Sequence, residues 1–127
     1  MDADELLKRY AVGDRDFSGA NLSCVDLTGA NLSGVNLSGA NLTRSYLHEA
    51  DLSEADLSRT NLEYTGFRSA NLVGANLEEA NLEYASLRNA NLERANLLNA
   101  KLTKNLSGAT FCNTTMPDGS IRNDNCH

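Results

Sequence analysis

Residues 61–100 read NLEYTGFRSANLVGANLEEANLEYASLRNANLERANLLNA, and this stretch decides the fold. A leucine or phenylalanine stands at every fifth residue, and the same spacing runs from Phe17 to Leu102 through eighteen consecutive positions, sixteen of them Leu. A spacing of five matches neither the two-residue alternation of a strand nor the roughly 3.6-residue turn of a helix. Each five-residue unit therefore needs its own bend, which is typical of a solenoid.

Each unit has a small residue, usually alanine, two positions before the large apolar residue, and the residue between them is usually Asn or Asp. In an extended segment, side chains two residues apart point to the same side. The alanine and the leucine are therefore predicted to face inward and the Asn or Asp outward. The other two positions, often Ser-Gly or Thr-Gly, suit a tight turn because glycine accepts a positive φ.

A second period appears when residues 61–80 are compared with residues 81–100, which agree at twelve positions. Nine of the matches are the Asn, Leu and Ala that every unit requires. The other three matches are extra: Glu63 with Glu83, Tyr64 with Tyr84, and Arg68 with Arg88. A period of twenty predicts four sides per turn, and about five turns stacked at roughly 4.8 Å make a rod on the order of 24 Å long.

Units such as ANLSG at 30–34, ANLTR at 40–44 and ADLSE at 50–54 resemble the pentapeptide-repeat family, whose motif is A-(D/N)-L-x-x. The resemblance covers about residues 15–112. It implies an all-β fold, a right-handed quadrilateral β-helix, and a protein of the cyanobacterial type, where such chains are mostly without an assigned activity.

The chain departs from the family motif in two ways. The usual Asn or Asp is replaced at four units, by Tyr46, Gly66, Ser86 and Lys101. The spacing also shortens to four between Leu102 and Leu106, so that one residue is missing from a side or from a corner.

Both ends of such a stack expose unpaired backbone and apolar cross-section, so caps are expected. The predicted parts are a helical cap at 1–14, the β-helix at 15–112 and a C-terminal cap or tail at 113–127. Leu6, Leu7 and Tyr10 fall on one face of the cap helix, and Gly13 would end it. Capped ends predict a monomer.

The C-terminal segment allows two structures. Pro117-Asp118-Gly119 is a strong turn signal, which favours a hairpin lid. Met116 and Ile121 nevertheless keep the five-residue spacing from Phe111, which favours a degenerate final coil.

Composition limits the classes of partner. Eleven Lys and Arg against seventeen Asp and Glu give a net charge of −6, which argues against non-specific binding to nucleic acid or anionic lipid and permits a basic partner. The N-terminal residues have early acids and no long apolar run, so they predict neither a secretory signal nor a membrane span. A cytoplasmic location is the expectation.

Three cysteines are an odd and sparse set that does not suggest a secreted disulfide framework. A bridge between Cys112 and Cys126 would stabilise the C-terminal segment by about 3 kcal/mol through loop closure. The alternative is a pair of reduced thiols in a cytoplasmic protein. Cys24 falls at a corner and is expected to be a free thiol.

The sequence contains few of the residue patterns that catalysis requires. His48 and His127 are the two histidines, and neither HExxH nor CxxC spacing occurs. The glycines of the early units lack the lysine of a phosphate-binding loop. We therefore expect no catalytic residues, no cofactor and no metal site, and the chain is predicted not to be an enzyme.

The outer surface carries the most distinctive side chains. The four-sided fold places Arg44, Tyr64, Tyr84 and Lys104 one above another, with a neighbouring column around the next corner. The candidate interaction surface is Arg44, His48, Tyr64, Arg68, Tyr84 and Arg88. Tyr and Arg are typical interface anchors, although stacked tyrosines also stabilise the packing of coils by themselves.

The sequence therefore predicts a non-enzymatic module for protein interaction or scaffolding, with an unknown protein partner. The alternative comes from the resemblance, since some members of the family mimic DNA and act on DNA gyrase. Here the acidic residues are interrupted by arginines and no long C-terminal helix for dimerisation is visible, which disfavours that role.

Overall fold

A computed structural model describes residues 1–126 as a short helix followed by a β-helix and a terminal hairpin. Parallel bridges join residues twenty apart, from Asp16 with Asn36 to Asn81 with Lys101. Each turn of the coil therefore takes four five-residue units. The backbone ladder runs between turns: the N–H of Leu22 donates to the carbonyl of Asn41 at 2.7 Å.

The corners of the coil between Phe17 and Ala100 are tight turns. The N–H of Ala40 donates to the carbonyl of Leu37 at 3.0 Å, and Gly39 between them has a φ of 67°. A positive φ at the third residue is the pattern of a type II turn. Many corners place a larger residue there, including Arg44 at 58° and Tyr84 at 60°. A left-handed backbone conformation costs an L-residue about 1–2 kcal/mol, so packing between the coils has to offset this cost.

The outward Asn or Asp of the motif has a structural role. The side-chain oxygen of Asn41 accepts a hydrogen bond from the N–H of Thr43 at 3.1 Å, and that of Asp56 accepts one from the N–H of Ser58 at 3.0 Å. This is an Asx turn, which satisfies a corner N–H locally. A short side chain with an oxygen acceptor is therefore selected at this position.

The core is a set of leucine columns inside the tube, extended by alanines, and these leucines are fully buried from Leu22 to Leu97. A few hydroxyl residues stand in for the alanine and are also buried. Their hydroxyls donate to leucine carbonyls, as from Thr60 to Leu57 at 2.6 Å and from Ser45 to Leu42 at 2.6 Å. The buried polar groups are thus satisfied, as the low dielectric of a core requires.

The first end of the tube is covered by helix α1, Ala3–Ala11. The side chain of Asp2 caps it by accepting from the N–H of Glu5 at 2.8 Å. Leu6 is fully buried against the coils, and the hydroxyl of Tyr10 donates to the carbonyl of Ser33 at 2.7 Å. Leu7, which the helical pattern placed on the same face, is exposed, since it lies about 100° around the helix from Leu6.

The second end is covered by an antiparallel hairpin of β1, Phe111–Thr115, and β2, Ile121–Asp124. β1 also continues the coil, since Thr115 forms a parallel bridge with Asn96. The segment therefore combines both structures that the sequence allowed. Ile121 lies in the hairpin and is exposed, so its five-residue spacing does not continue the buried column.

The shortened spacing appears as a change of register. Bridged residues are twenty apart up to Asn81 with Lys101 and nineteen apart at Asn91 with Thr110. The missing residue therefore belongs to the corner and side that follow Lys101.

Candidate functional site

One wall of the β-helix differs from the others because three consecutive turns lack the motif Asn or Asp there. Parallel bridges align the middle residues of these three rows, Tyr46 with Gly66 and Gly66 with Ser86. We call the outward side chains of this wall the tyrosine wall. It comprises Arg44, Tyr46, His48, Tyr64, Gly66, Arg68, Tyr84, Ser86 and Arg88.

The first corner of the tyrosine wall carries Arg44, Tyr64 and Tyr84, whose side chains form a stack. The guanidinium carbon of Arg44 lies 4.8 Å from the centroid of the Tyr64 ring. The rings of Tyr64 and Tyr84 are stacked with centroids 5.0 Å apart and an interplanar angle of 18°. The corner residues are one coil spacing apart, so their flat side chains meet face to face.

The second corner of the wall carries His48, Arg68 and Arg88, and His48 makes most of its contacts. Its Nδ1 accepts a hydrogen bond from the backbone N–H of Arg68 at 3.0 Å, and its ring stacks on Tyr46 at 5.7 Å. Gly66 makes room for this ring, since a Cβ at Gly66 would lie 2.2 Å from Cε1 of His48. Burial lowers the pKa of His48, and the nearby charge of Arg68 lowers that pKa further. Both effects favour the neutral imidazole, which alone can accept at Nδ1.

Large aromatic surface remains open on this wall. The exposed fractions are 53% for Tyr46, 48% for Tyr64 and 66% for Tyr84. These rings are held in place by stacking, yet about half of their area faces solvent. Clustered, exposed aromatic side chains are a feature of surfaces that bind other proteins.

The charge of the wall has the opposite sign to that of the chain. Its nine positions contain three arginines, one histidine and no carboxylate, whereas the chain has a net charge of −6. Within residues 1–126, the ion pairs of the structure involve other arginines and lysines, so Arg44, Arg68 and Arg88 have no carboxylate partner there. Carboxylates border these nine positions: Asp26 is bridged to Tyr46 from the turn below, and Glu49, Glu63 and Glu83 are corner residues next to His48, Tyr64 and Tyr84.

All six residues of the predicted interaction surface lie on the tyrosine wall. Sequence reasoning missed Tyr46 as a member, although its replacement of the motif residue, followed by Gly66 and Ser86 at intervals of twenty, was a usable signal. Lys104 does not continue the corner column above Tyr84. It lines an open cavity beside Tyr84, because the register change removes the corner there.

The remaining candidates lie elsewhere. The Sγ atoms of Cys112 and Cys126 are 2.09 Å apart, as a disulfide that joins β1 to the segment after β2. Cys24 is an exposed free thiol at the foot of the corner column that carries Arg44. Across the described residues, no cluster of His, Cys, Asp or Glu is arranged to hold a metal ion. No helix within residues 1–126 has the length and apolar character needed to cross a membrane.

Solved structures share this fold. A pentapeptide repeat protein (Rfr23) from the cyanobacterium Cyanothece 51142 is 39% identical over 77% of this chain and 61% of its own, with a TM-score of 0.51. The pentapeptide repeat protein alr5209 from Nostoc Pcc 7120 is 34% identical over 85% of each chain, with a TM-score of 0.50. A pentapeptide repeat protein from the Arabidopsis thaliana thylakoid lumen, AT2G44920, is 23% identical over 90% of this chain and 74% of its own, with a TM-score of 0.52, and shows the fold alone.

These relatives imply that the fold is a right-handed β-helix solenoid. No curated protein matches the chain. The family profile for pentapeptide repeats (8 copies) matches residues 16–39, 26–63, 40–78 and 70–104. Most of the chain is thus covered by the repeat, and the chain belongs to the pentapeptide-repeat family.

Proposed function

We propose that this chain is a non-enzymatic interaction module that binds an acidic segment of a protein partner through the tyrosine wall. Members of the family are generally non-enzymatic structural repeat proteins. The observation that carries the proposal is the wall itself, whose nine positions hold three arginines, three exposed tyrosines and no carboxylate, on a chain whose net charge is −6.

Rigid presentation supports binding through this wall. Tyrosine and arginine offer large contact areas with polar ends, and the guanidinium pairs with carboxylates through two parallel hydrogen bonds. The stacked rings of Tyr64 and Tyr84 are already ordered at 5.0 Å, as is the ring of Tyr46 against His48. Binding of a partner therefore costs little free energy for ordering these side chains.

A purely structural role accounts less well for the charges. Stacking between coils explains why Tyr64 lies on Tyr84, but it does not explain Arg68 and Arg88 at successive levels of one column. Like charges at adjacent coils repel each other, and a surface built for stability alone would place carboxylates between them. Binding of an acidic partner would remove this repulsion.

Capture from the native cell extract tests the proposal. The double variant Arg68→Glu, Arg88→Glu reverses the charge of the second corner, and Arg59→Glu is the matched control because Arg59 is an exposed corner arginine outside the wall. We expect the wild type and the control to capture the same acidic protein and the double variant to lose it. Binding should also weaken as salt rises from about 0.05 to 0.5 M, because salt screens exposed charges.

Two results would overturn the proposal. One is equal capture by the wild type and the double variant. The other is a captured partner whose binding region is basic. Circular dichroism spectra and melting curves of the variants establish that a loss of capture is not a loss of folding.

The DNA-mimic alternative requires a continuous acidic surface. The tyrosine wall interrupts such a surface with Arg44, Arg68 and Arg88. We therefore expect added protein to leave supercoiling by DNA gyrase unchanged, and inhibition at sub-micromolar concentration would favour the alternative.

A further inference from the structure

The corner above Tyr84 is missing from the β-helix. In the turn below, the N–H groups of Leu62 and Phe67 donate to the carbonyls of Asn81 and Ser86, which are five residues apart. One turn higher, Leu82 and Leu87 donate to the carbonyls of Lys101 and Asn105, which are four residues apart. The chain reaches the next side with one residue fewer, so it crosses the corner without forming the turn.

One backbone group is left without a partner by this shortcut. At the two corners below, the N–H of Arg44 donates to Glu63 at 3.0 Å and the N–H of Tyr64 donates to Glu83 at 3.1 Å. Within residues 1–126, the N–H of Tyr84 makes no such bond. Tyr84 is exposed, so this N–H bonds to water or is free to bond to a ligand.

The carbonyl of Ala85, the next residue, accepts its hydrogen bond from a side chain. Elsewhere the carbonyl of the alanine accepts an N–H from the turn above, as Ala80 does from Lys101 at 2.9 Å. At Ala85 the hydroxyl of Thr103 donates instead, at 2.7 Å, and Thr103 is turned inward with 6% exposure. The shortcut is therefore stabilised from the inside, while its outside stays open over Tyr84.

The open space is a notch of about 520 Å³ beside the stack of tyrosines. Its lining includes Glu83, Tyr84, Leu102 and Lys104. Tyr64 stacks on Tyr84 from the turn below, so the other face of the Tyr84 ring looks into the notch. Lys101 contacts Glu83 at 3.7 Å and offsets its charge.

We propose that this notch binds an aromatic side chain of a partner protein, whose ring stacks on Tyr84 and whose main-chain carbonyl accepts the N–H of Tyr84. This proposal deepens the proposed function and rests on it. The occupant supplies both contacts that the missing corner would have made. The lower corners show these contacts within the chain, as a ring-to-ring distance of 5.0 Å and an N–H to carbonyl distance of 3.1 Å.

The charges of the notch select an aromatic ring over a cationic side chain. Lys101 is paired with Glu83, so the charge of Lys104 remains and disfavours a guanidinium or an ammonium. The electron-rich face of an aromatic ring attracts an ammonium group. Leu102, which is half-buried, adds an apolar contact for the edge of the ring.

Titration of the isotope-labelled protein with acetyl-Gly-Trp-Gly-amide tests the notch directly. We expect saturable NMR shifts of the Tyr84 amide proton and the Leu102 methyl groups, with a dissociation constant on the order of 1 mM, as for a single anchor residue. Acetyl-Gly-Leu-Gly-amide and acetyl-Gly-Arg-Gly-amide should bind at least about 5-fold more weakly, a difference of about 1 kcal/mol. No saturable shift, or equal binding of the three peptides, would overturn the proposal.

Two variants locate the binding. A glycine inserted between Thr103 and Lys104 restores the five-residue spacing, fills the corner and is expected to abolish peptide binding. Tyr84→Leu keeps an apolar side chain but removes the ring, and it should weaken binding of the tryptophan peptide about 5-fold or more. Tyr46→Leu is the matched control, because Tyr46 is an exposed tyrosine of the same wall outside the notch.

The outcome separates the notch from the wall. The peptide contains no acidic residue, so Arg68→Glu, Arg88→Glu should bind it as the wild type does. If the peptide binds but no acidic partner is captured, the proposal for the notch stands and the proposal for the wall is rejected. If the acidic partner is captured but the peptide does not bind, the proposal for the wall stands and the proposal for the notch is rejected.

Discussion

The imidazole of His48 holds the backbone of Arg68, twenty residues further along the chain, through a 3.0 Å hydrogen bond from the Arg68 N–H to Nδ1. On another wall the equivalent N–H of Val73 is satisfied by Asn71 of its own turn, at 3.0 Å. Gly66 takes the place of that asparagine and has no side chain, so the coil below supplies the acceptor. Two rows of the tyrosine wall are thereby tied together.

Gly66→Ala should break this link. The new Cβ would lie 2.2 Å from Cε1 of His48, so the ring has to turn away and Arg68 loses its acceptor. We expect the free energy of unfolding to fall by about 1 kcal/mol in urea titrations. Ser86→Ala, at the same position one turn higher, should change it by less than about 0.5 kcal/mol. Equal effects of the two substitutions would contradict the role of His48.

Stability should depend on pH through His48. Its pKa is lowered in the folded state, first by burial and then by Arg68, so the unfolded chain takes up the proton at a higher pH than the folded chain does. The stabilisation is complete above the unfolded value of 6.5 and is lost as the pH falls through the folded value. Protonation of Nδ1 also removes the bond to Arg68. Unfolding free energies measured between about pH 7 and pH 5 should fall in the wild type.

His48→Gln is the control for this pH dependence, because glutamine offers an acceptor that does not titrate. Its stability should be nearly flat over the same range. The carboxyl groups of Asp16 and Asp26 have pKa values lowered from 3.8 by hydrogen bonds from Ser18 and Thr28, so their contribution is lost only at lower pH. An unchanged slope in His48→Gln would assign the effect to other groups.

Thr103→Val tests how the chain crosses the missing corner above Tyr84. The substitution keeps the buried shape but removes the hydroxyl that donates to Ala85 and accepts from the N–H of Asn105 at 3.1 Å. We expect a loss of about 1–3 kcal/mol in urea unfolding, since a buried carbonyl is left unpaired. Thr43→Val, which removes a half-buried hydroxyl bonded to Asn41, should cost less than about 1 kcal/mol. The reverse order would mean that the corner is closed in another way.

Helix α1 should keep the protein monomeric by covering the first end of the tube. Leu6 is 0% exposed and Leu7 is 36% exposed, so Leu6→Asp places a charge in the contact and Leu7→Asp does not. We expect Leu6→Asp to lose several kcal/mol and to form oligomers by light scattering, because an uncovered coil end pairs with other chains. Leu7→Asp should remain monomeric. Oligomers of the wild type would contradict the covered end.

The disulfide should act on the terminal hairpin alone. Cys112→Ser with Cys126→Ser opens a loop whose closure is worth about 3 kcal/mol in the chain-entropy model. Hydrogen exchange is therefore expected to rise in β1 and β2 and to stay unchanged in the coils from Asn31 to Asn61. Cys24→Ser, which removes the free thiol, is the control. Faster exchange throughout the coils would show that the bridge supports the whole stack.

The same cysteine pair reports the location. A cytoplasmic protein is expected to keep Cys112 and Cys126 reduced, whereas the structure shows them bonded. Thiol trapping during cell lysis measures the state directly. Fully reduced cysteines would agree with the cytoplasmic expectation, and a complete bridge would point to an oxidising compartment.

Several features of the site were within reach of the sequence, and others were not. The twenty-residue period brought Tyr64 together with Tyr84 because corner residues of successive coils have to meet. Tyr46 could have been added, since Tyr46, Gly66 and Ser86 depart from the motif at the same interval. The bond from Arg68 to His48 was not predictable from the pattern, because it depends on the ring filling the space left by Gly66.

The sequence by itself determined the solenoid, the four units per turn and the side of each unit that faces the core. A leucine at every fifth residue can be buried throughout only if the chain bends once per unit. Only the tertiary structure decided where the missing residue after Lys101 is taken from. That choice depends on which backbone groups of neighbouring coils find partners: Thr103 turns inward to satisfy Ala85, and the uncovered side falls on Tyr84.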